Sequence, residues 1–129
     1  MRKLILVILS IFAVLHLSAQ EKSFCKTISV KKFHEYCTTM DNALILDSGC
    51  IPGYQEQHIE NAVLIANSEM MKAELKDVEK DTILLLYCGH GERSKVASKM
   101  LIKLGFKKIY ILRRGLKAWI KKGYKTTKY

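Results

Sequence analysis

Apolar residues along most of the chain fall into short runs separated by charged and turn-forming stretches. Residues 82–87 (Thr-Ile-Leu-Leu-Leu-Tyr) form the strongest run. A continuous apolar stretch of this length predicts a strand buried on both faces. Residues 43–46 (Ala-Leu-Ile-Leu), ending at Asp47, repeat the pattern, and residues 27–30, 62–66 and 108–112 predict three further strands. Between them the period changes. Phe33, Tyr36, Cys37 and Met40 recur at helical spacing and predict a helix over residues 31–40 with one apolar face. Ser68 is placed to cap a helix running to about Glu79, with Met71, Leu75 and Val78 inward. Residues 94–104 predict a helix with Val96, Ala97, Met100, Leu101 and Leu104 inward and Gly105 as its stop. Residues 115–122 predict a last helix closed by Gly123. Residues 48–57 hold Gly49, Pro52 and Gly53 and read as a loop. Residues 88–93 read as a glycine-bearing turn. Buried strands alternating with helices predict an α/β domain with a mostly parallel sheet. In such sheets ligands bind beyond the carboxyl ends of the strands. That rule singles out Asp47 and Cys88, each with the loop that follows it.

The length, 129 residues, suits one domain, and a composition 49% hydrophobic with one proline and seven glycines excludes collagen-like and low-complexity chains. Four cysteines are too few for a disulfide-dense mini-scaffold. Lys and Arg outnumber Asp and Glu by 22 to 12, a net charge of +10 that favours anionic partners.

The amino terminus has its own pattern. Met1-Arg2-Lys3 is cationic, and residues 4–17 are apolar except for Ser10 and His16. A helix of that length spans about 21 Å, short of the roughly 30 Å hydrocarbon core. Residues 1–19 therefore read as a secretory signal peptide, with cleavage after Ala19 and export to the periplasm. The alternative is an uncleaved membrane anchor, and membrane contact is expected only in that case. Gln20 stands where a lipoprotein would need cysteine. Cleavage would leave 110 residues and a net charge of +8, with Cys25, Cys37, Cys50 and Cys88 all retained in an oxidising compartment.

Candidate chemistry centres on Cys88-Gly89-His90-Gly91-Glu92-Arg93-Ser94. A cysteine leaves the end of a buried strand, a glycine turn follows, and a helix begins. Successive N–H groups in such a turn can form an anion nest. The helix start adds partial positive charge. Arg93 adds a full one and can brace the loop carbonyls. All three favour negative charge at one spot, and the thiolate is the reactive form of cysteine.

These residues resemble the active-site loop of rhodanese-type sulfurtransferases, Cys-x-x-Gly-x-Arg-Ser. Leu44-Ile45-Leu46-Asp47, Tyr54, His58-Ile59 and Ala62 are similar to a second family segment, Asp-x-Arg…Tyr-x-x-Gly-His-Ile-x-Gly-Ala. Leu104-Gly105-Phe106, Ile109-Tyr110-Ile111-Leu112, Gly115 and Ala118-Trp119 resemble a third. The resemblance spans residues 27–124 and implies a five-stranded α/β sheet with helices on both faces. It also implies a nucleophilic Cys88 and a substrate-binding loop of Gly89, His90, Gly91, Glu92, Arg93 and Ser94. The departures lie opposite that loop. The family arginine two after the aspartate is Gly49, the acidic residue before the tyrosine is Gly53, and Gln57 and Asn61 replace two glycines. Arg114-Gly115 replaces paired glycines. The family's phosphatases and arsenate reductases use the longer loop Cys-x5-Arg, whereas Cys88 to Arg93 is Cys-x4-Arg, the form suited to sulfur. The implied reaction is double displacement through a Cys88 persulfide, from a small anionic donor such as thiosulfate to a thiol or cyanide acceptor.

Other readings stay beside this one. The chain is alternatively a thiol–disulfide redox protein using Cys88 with Cys50, or a non-catalytic sulfur carrier or binding module on the same fold. Phosphatase chemistry is the weakest fit. Cys50 is read as a chance cysteine at a variable position, with a resolving thiol as the alternative, because bridging needs Cα atoms within about 7 Å. Cys25 and Cys37 either pair or remain thiols, Cys37 lying on an apolar helix face. Asp47 and His58 are read as supporting residues that tie loops together, Glu92 as pointing outward, His90 as solvated and Trp119 as core. The last 25 residues hold nine Lys or Arg and no acid, and read as a solvated face with a frayed tail. No nucleic-acid motif or metal-ligand spacing is present in the sequence, and no cofactor, metal or nucleic-acid partner is expected. A monomer is expected.

Overall fold

The computed structural model describes residues 22–129; the expected signal peptide, residues 1–19, lies outside the described residues. The elements are β1 (Phe24–Ile28), α1 (Val30–Thr39), β2 (Ala43–Asp47), α2 (Ile51–Glu56), β3 (Val63–Leu64), α3 (Ser68–Glu74), β4 (Ile83–Tyr87), α4 (Glu92–Lys103), β5 (Lys108–Leu112) and α5 (Gly115–Lys121). The strands form one five-stranded sheet in the order β1-β5-β4-β2-β3, with every pairing parallel.

Strand β4 lies at the centre, and its residues face alternate layers. Leu84 and Leu86 pack with Met71, Leu75, Leu101 and Phe106 under α3 and α4. Leu85 and Tyr87 pack with Phe33 and Trp119 under α1 and α5. Both faces are thus covered by helices, so a continuous apolar run is what the strand needs. The edge strand β1 pairs only with β5 and exposes Cys25, Lys26 and Thr27, so it carries no such run. It therefore ends earlier than its apolar pattern suggests. Val30 instead opens α1, which Ser29 caps by accepting a hydrogen bond from the Lys32 N–H.

Four further expectations need correction. The stretch expected as a loop over residues 48–57 contains the helix α2. Pro52 sits in its first turn, where the missing N–H has no helical partner to lose. Helix α3 is capped by Asn67, whose Oδ1 accepts from Met70 N, and it ends at Glu74 rather than Glu79. Leu75 and Val78 still pack inward from a turn. Helix α4 starts two residues early, at Glu92; the buried positions on its stripe are Ser94, Ser98 and Leu101, which turns Val96 outward at 69% exposure. The carboxyl tail is tied down. Thr127 pairs antiparallel with His58, Tyr129 N–H donates to Gln55 O at 3.0 Å, and Trp119 Nε1–H donates to Lys125 O at 3.0 Å. No helix among the described residues is long and apolar enough to cross a membrane.

Candidate active site

Strands β2 and β4 are neighbours whose onward connections diverge. The chain leaves β2 towards β3 on one side and leaves β4 towards β5 on the other. Such a divergence opens a crevice past the carboxyl ends of the two strands. The register pairs Asp47 with Tyr87, so the segments beginning at Ser48 and Cys88 start side by side at that crevice. The Ser48 N–H and Oγ both donate to Tyr87 O, at 2.8 and 3.0 Å, and hold the two strand ends together. Ser48 Oγ also lies 3.3 Å from the Oγ of the fully buried Ser94, which joins the β2 end to the first turn of α4.

A cleft of about 340 Å³ results, lined by Asp47, Gly49, Cys50, Gly53, Tyr54 and Gln57 on one wall and by Tyr87 to His90, Glu92, Arg93 and Leu116 on the other. Cys88 lies at its floor with 2% exposure. The Gly91 N–H donates to Cys88 Sγ at 3.0 Å. Gly91 reaches this position with φ +105°, a left-handed conformation that glycine adopts without a Cβ penalty. His90, Glu92 and Arg93 are exposed.

The Arg93 side chain does not brace the loop carbonyls; among the described residues it makes no hydrogen bond or ion pair. Backbone of α5 does that work instead. Leu116 N–H donates to Cys88 O at 2.7 Å and Lys117 N–H to Gly89 O at 3.1 Å. The first N–H groups of a helix have no partner within it, so two of them are available for the loop. Gly115 permits the approach. A Cβ there would stand 2.3 Å from Cys88 O and 2.7 Å from Gly89 O.

Asp47 is nearly buried in the cleft wall, and its Oδ1 accepts from Gly49 N–H at 2.8 Å. Burial pushes its carboxyl above the ordinary range, against the opposing pull of the Gly49 N–H, the Tyr87 hydroxyl and His58. The Tyr87 hydroxyl accepts from Ile59 N–H at 2.9 Å, and burial drives its own ionisation upward. His58 lies away from the sulfur. Its ring stacks on Tyr54 at 3.8 Å, its Nδ1 lies 2.6 Å from Tyr54 O, and its backbone pairs with Thr127.

All four cysteines are thiols, so Cys25 and Cys37 are not bridged. Cys50 is exposed on the cleft wall opposite Cys88. Among the described residues, no group of three or more His, Cys, Asp or Glu side chains is arranged to hold a metal ion. Sequence reasoning missed Ser48 and Tyr87 and the steric role of Gly115. Only the glycine left a signal, as a small residue three positions past the end of β5, where the last helix begins.

The family described as Rhodanese-like domain matches residues 28–122. "Thiosulfate sulfurtransferase GlpE" of Coxiella burnetii is 33% identical over 66 residues, which covers 51% of this chain and 61% of that protein. "Putative sulfur carrier protein YrkF" of Bacillus subtilis is 30% identical over 102 residues, covering 79% of this chain and 55% of that one. The chain thus spans little more than half the length of these curated relatives. Among solved structures, the Alr3790 protein from Anabaena superposes with a TM-score of 0.72 at 21% identity, covering 79% of this chain and 82% of that one. That likeness establishes the fold.

Proposed function

The chain belongs to the family of rhodanese-like domains, and from that premise we propose that it is a sulfurtransferase working through a persulfide on Cys88. One observation carries the reading: a nearly buried cysteine on the cleft floor whose sulfur receives the Gly91 N–H at 3.0 Å. A donor aimed at sulfur needs no rearrangement as charge moves there during the reaction. The Cys88 thiolate attacks the outer sulfur of thiosulfate. The sulfur–sulfur bond of the donor breaks, its electron pair leaves on sulfite, and Cys88 carries the outer sulfur as a persulfide. Cyanide or a thiolate then attacks that outer sulfur, and the electron pair of the broken bond returns to Cys88. The cleft volume, about 340 Å³, accommodates a donor of this size.

Intact mass after incubation with thiosulfate tests the reading. The reduced wild type gains mass in steps of one sulfur atom and loses it to cyanide, whereas Cys88→Ser gains none. A reduced wild type that gains no sulfur would sink it.

A further inference from the structure

We propose that Cys50 is a second sulfur-carrying residue, which takes the outer sulfur from the Cys88 persulfide and presents it at the cleft rim to the thiol of a protein acceptor. This relay rests on the sulfurtransferase reading.

The two thiols line one cleft at different depths, Cys88 2% exposed on the floor and Cys50 exposed on the wall. Their separation is bounded by topology. Neighbouring parallel strands lie about 4.8 Å apart, and the Ser48 bonds to Tyr87 O keep the two strand ends at that spacing. Cys50 is two residues beyond Ser48, at most about 7 Å further along the chain. The Cys50 side chain is not held by its own element, since it makes no capping hydrogen bond to α2. Its sulfur lies beside Gly53, where an added Cβ would stand 3.2 Å away. Gly49 and Gly53 line the same wall and carry no side chain to stand between Cys50 and the floor. Cys25 and Cys37 do not line this cleft.

The floor thiol cannot travel to the rim. The carbonyls of Cys88 and Gly89 are bound by Leu116 and Lys117, and Gly115 packs against both. Cyanide or another small acceptor can enter the cleft. A cysteine on a folded protein cannot bring its sulfur to an atom this deeply covered without its own backbone following. The relay removes that obstacle. The Cys50 thiolate attacks the outer sulfur of the Cys88 persulfide. The bond from that sulfur to Cys88 Sγ breaks, its electron pair remains on Cys88 as thiolate, and a new sulfur–sulfur bond forms at Cys50. The proton given up by the Cys50 thiol passes to solvent. No oxidant or reductant is consumed, because one thiolate and one persulfide become one persulfide and one thiolate.

The test loads the full chain with thiosulfate labelled at its outer sulfur, quenches with an alkylating agent and maps the label by peptide mass. It then compares turnover with cyanide and with a ubiquitin variant bearing one surface cysteine. We expect label on both Cys88 and Cys50 in the wild type and on neither in Cys88→Ser. Cys50→Ser should lower transfer to the protein thiol about tenfold more than transfer to cyanide. Cys25→Ser, outside the cleft, should alter neither. Label confined to Cys88, label on Cys50 in Cys88→Ser, or an equal loss with both acceptors in Cys50→Ser would each overturn the relay. So would a Cys50–Cys88 disulfide formed with release of sulfide. Absence of both Cys88 label and cyanide turnover would instead remove the sulfurtransferase reading, and the relay with it.

Discussion

Gly115 opens α5 against the Cys88 loop, and a single absent methyl group sets the loop's position. Its φ of +65° already disfavours other residues, and a Cβ would fall 2.3 Å from Cys88 O. Gly115→Ala must push away the carbonyls that Leu116 and Lys117 hold. The expected outcome is a stability loss of about 1–3 kcal/mol by urea unfolding. Persulfide formation should fall more steeply, on the order of a hundredfold, since a misplacement near 1 Å costs that much in a positioned site. Gly89→Ala provides the contrast for stability, because nothing lies within 4 Å of a Cβ there. The Cys88 motif is visible in a single chain segment, whereas the conflict at position 115 involves atoms from two segments and is visible only in space.

At the scale of elements, the helices and buried strands with strong periodicity were legible because each buries one kind of face. The apolar stripe of α1 places Cys37 against the cluster around Phe33 and Trp119. Burial pushes the Cys37 thiol up from 9.0 to about 12. The folded chain therefore keeps this proton while the unfolded chain loses it, and the native state binds more protons above pH 9. Stability should decline as pH rises from about 9 towards 12, and the decline should be shallower in Cys37→Ala; urea midpoints across that range check it. Helix α2 was not legible, because Pro52 and Gly53 are loop signals by themselves. Their effect depends on position: the same proline that breaks a helix interior is tolerated in its first turn. Edge strand β1 was misplaced for the opposite reason, since three exposed positions leave almost no pattern to read.

Across the whole molecule, the tail and the cleft wall support each other. Residues 125–129 add backbone pairing to His58 and Gln55, a side-chain bond from Gln57 Nε2 to Thr126 Oγ1 at 2.8 Å, and an acceptor for Trp119. Gln57 lines the cleft, and His58 follows it directly. Deleting residues 125–129 should cost about 2–4 kcal/mol, judged from several partly exposed hydrogen bonds at roughly 1 kcal/mol each. Turnover should fall as the α2 wall loosens, and thermal unfolding alongside a cyanide assay measures both. A basic run without apolar periodicity looks like a frayed tail, and its pairing partners lie some seventy residues away in the chain.

The sequence by itself determined the α/β alternation, the depth of β4, the strand–turn–helix passage at Cys88 and the family resemblance. These depend on local periodicity and on motifs held within a few residues. Only the tertiary structure decided that α5 rather than Arg93 braces the loop carbonyls, that α2 and the tail form one wall, and that Cys50 shares a cleft with Cys88. Each of those facts is a meeting of segments distant in the chain. Strand order and register set such meetings, and side-chain identity along one segment does not encode which distant backbone will stand beside it.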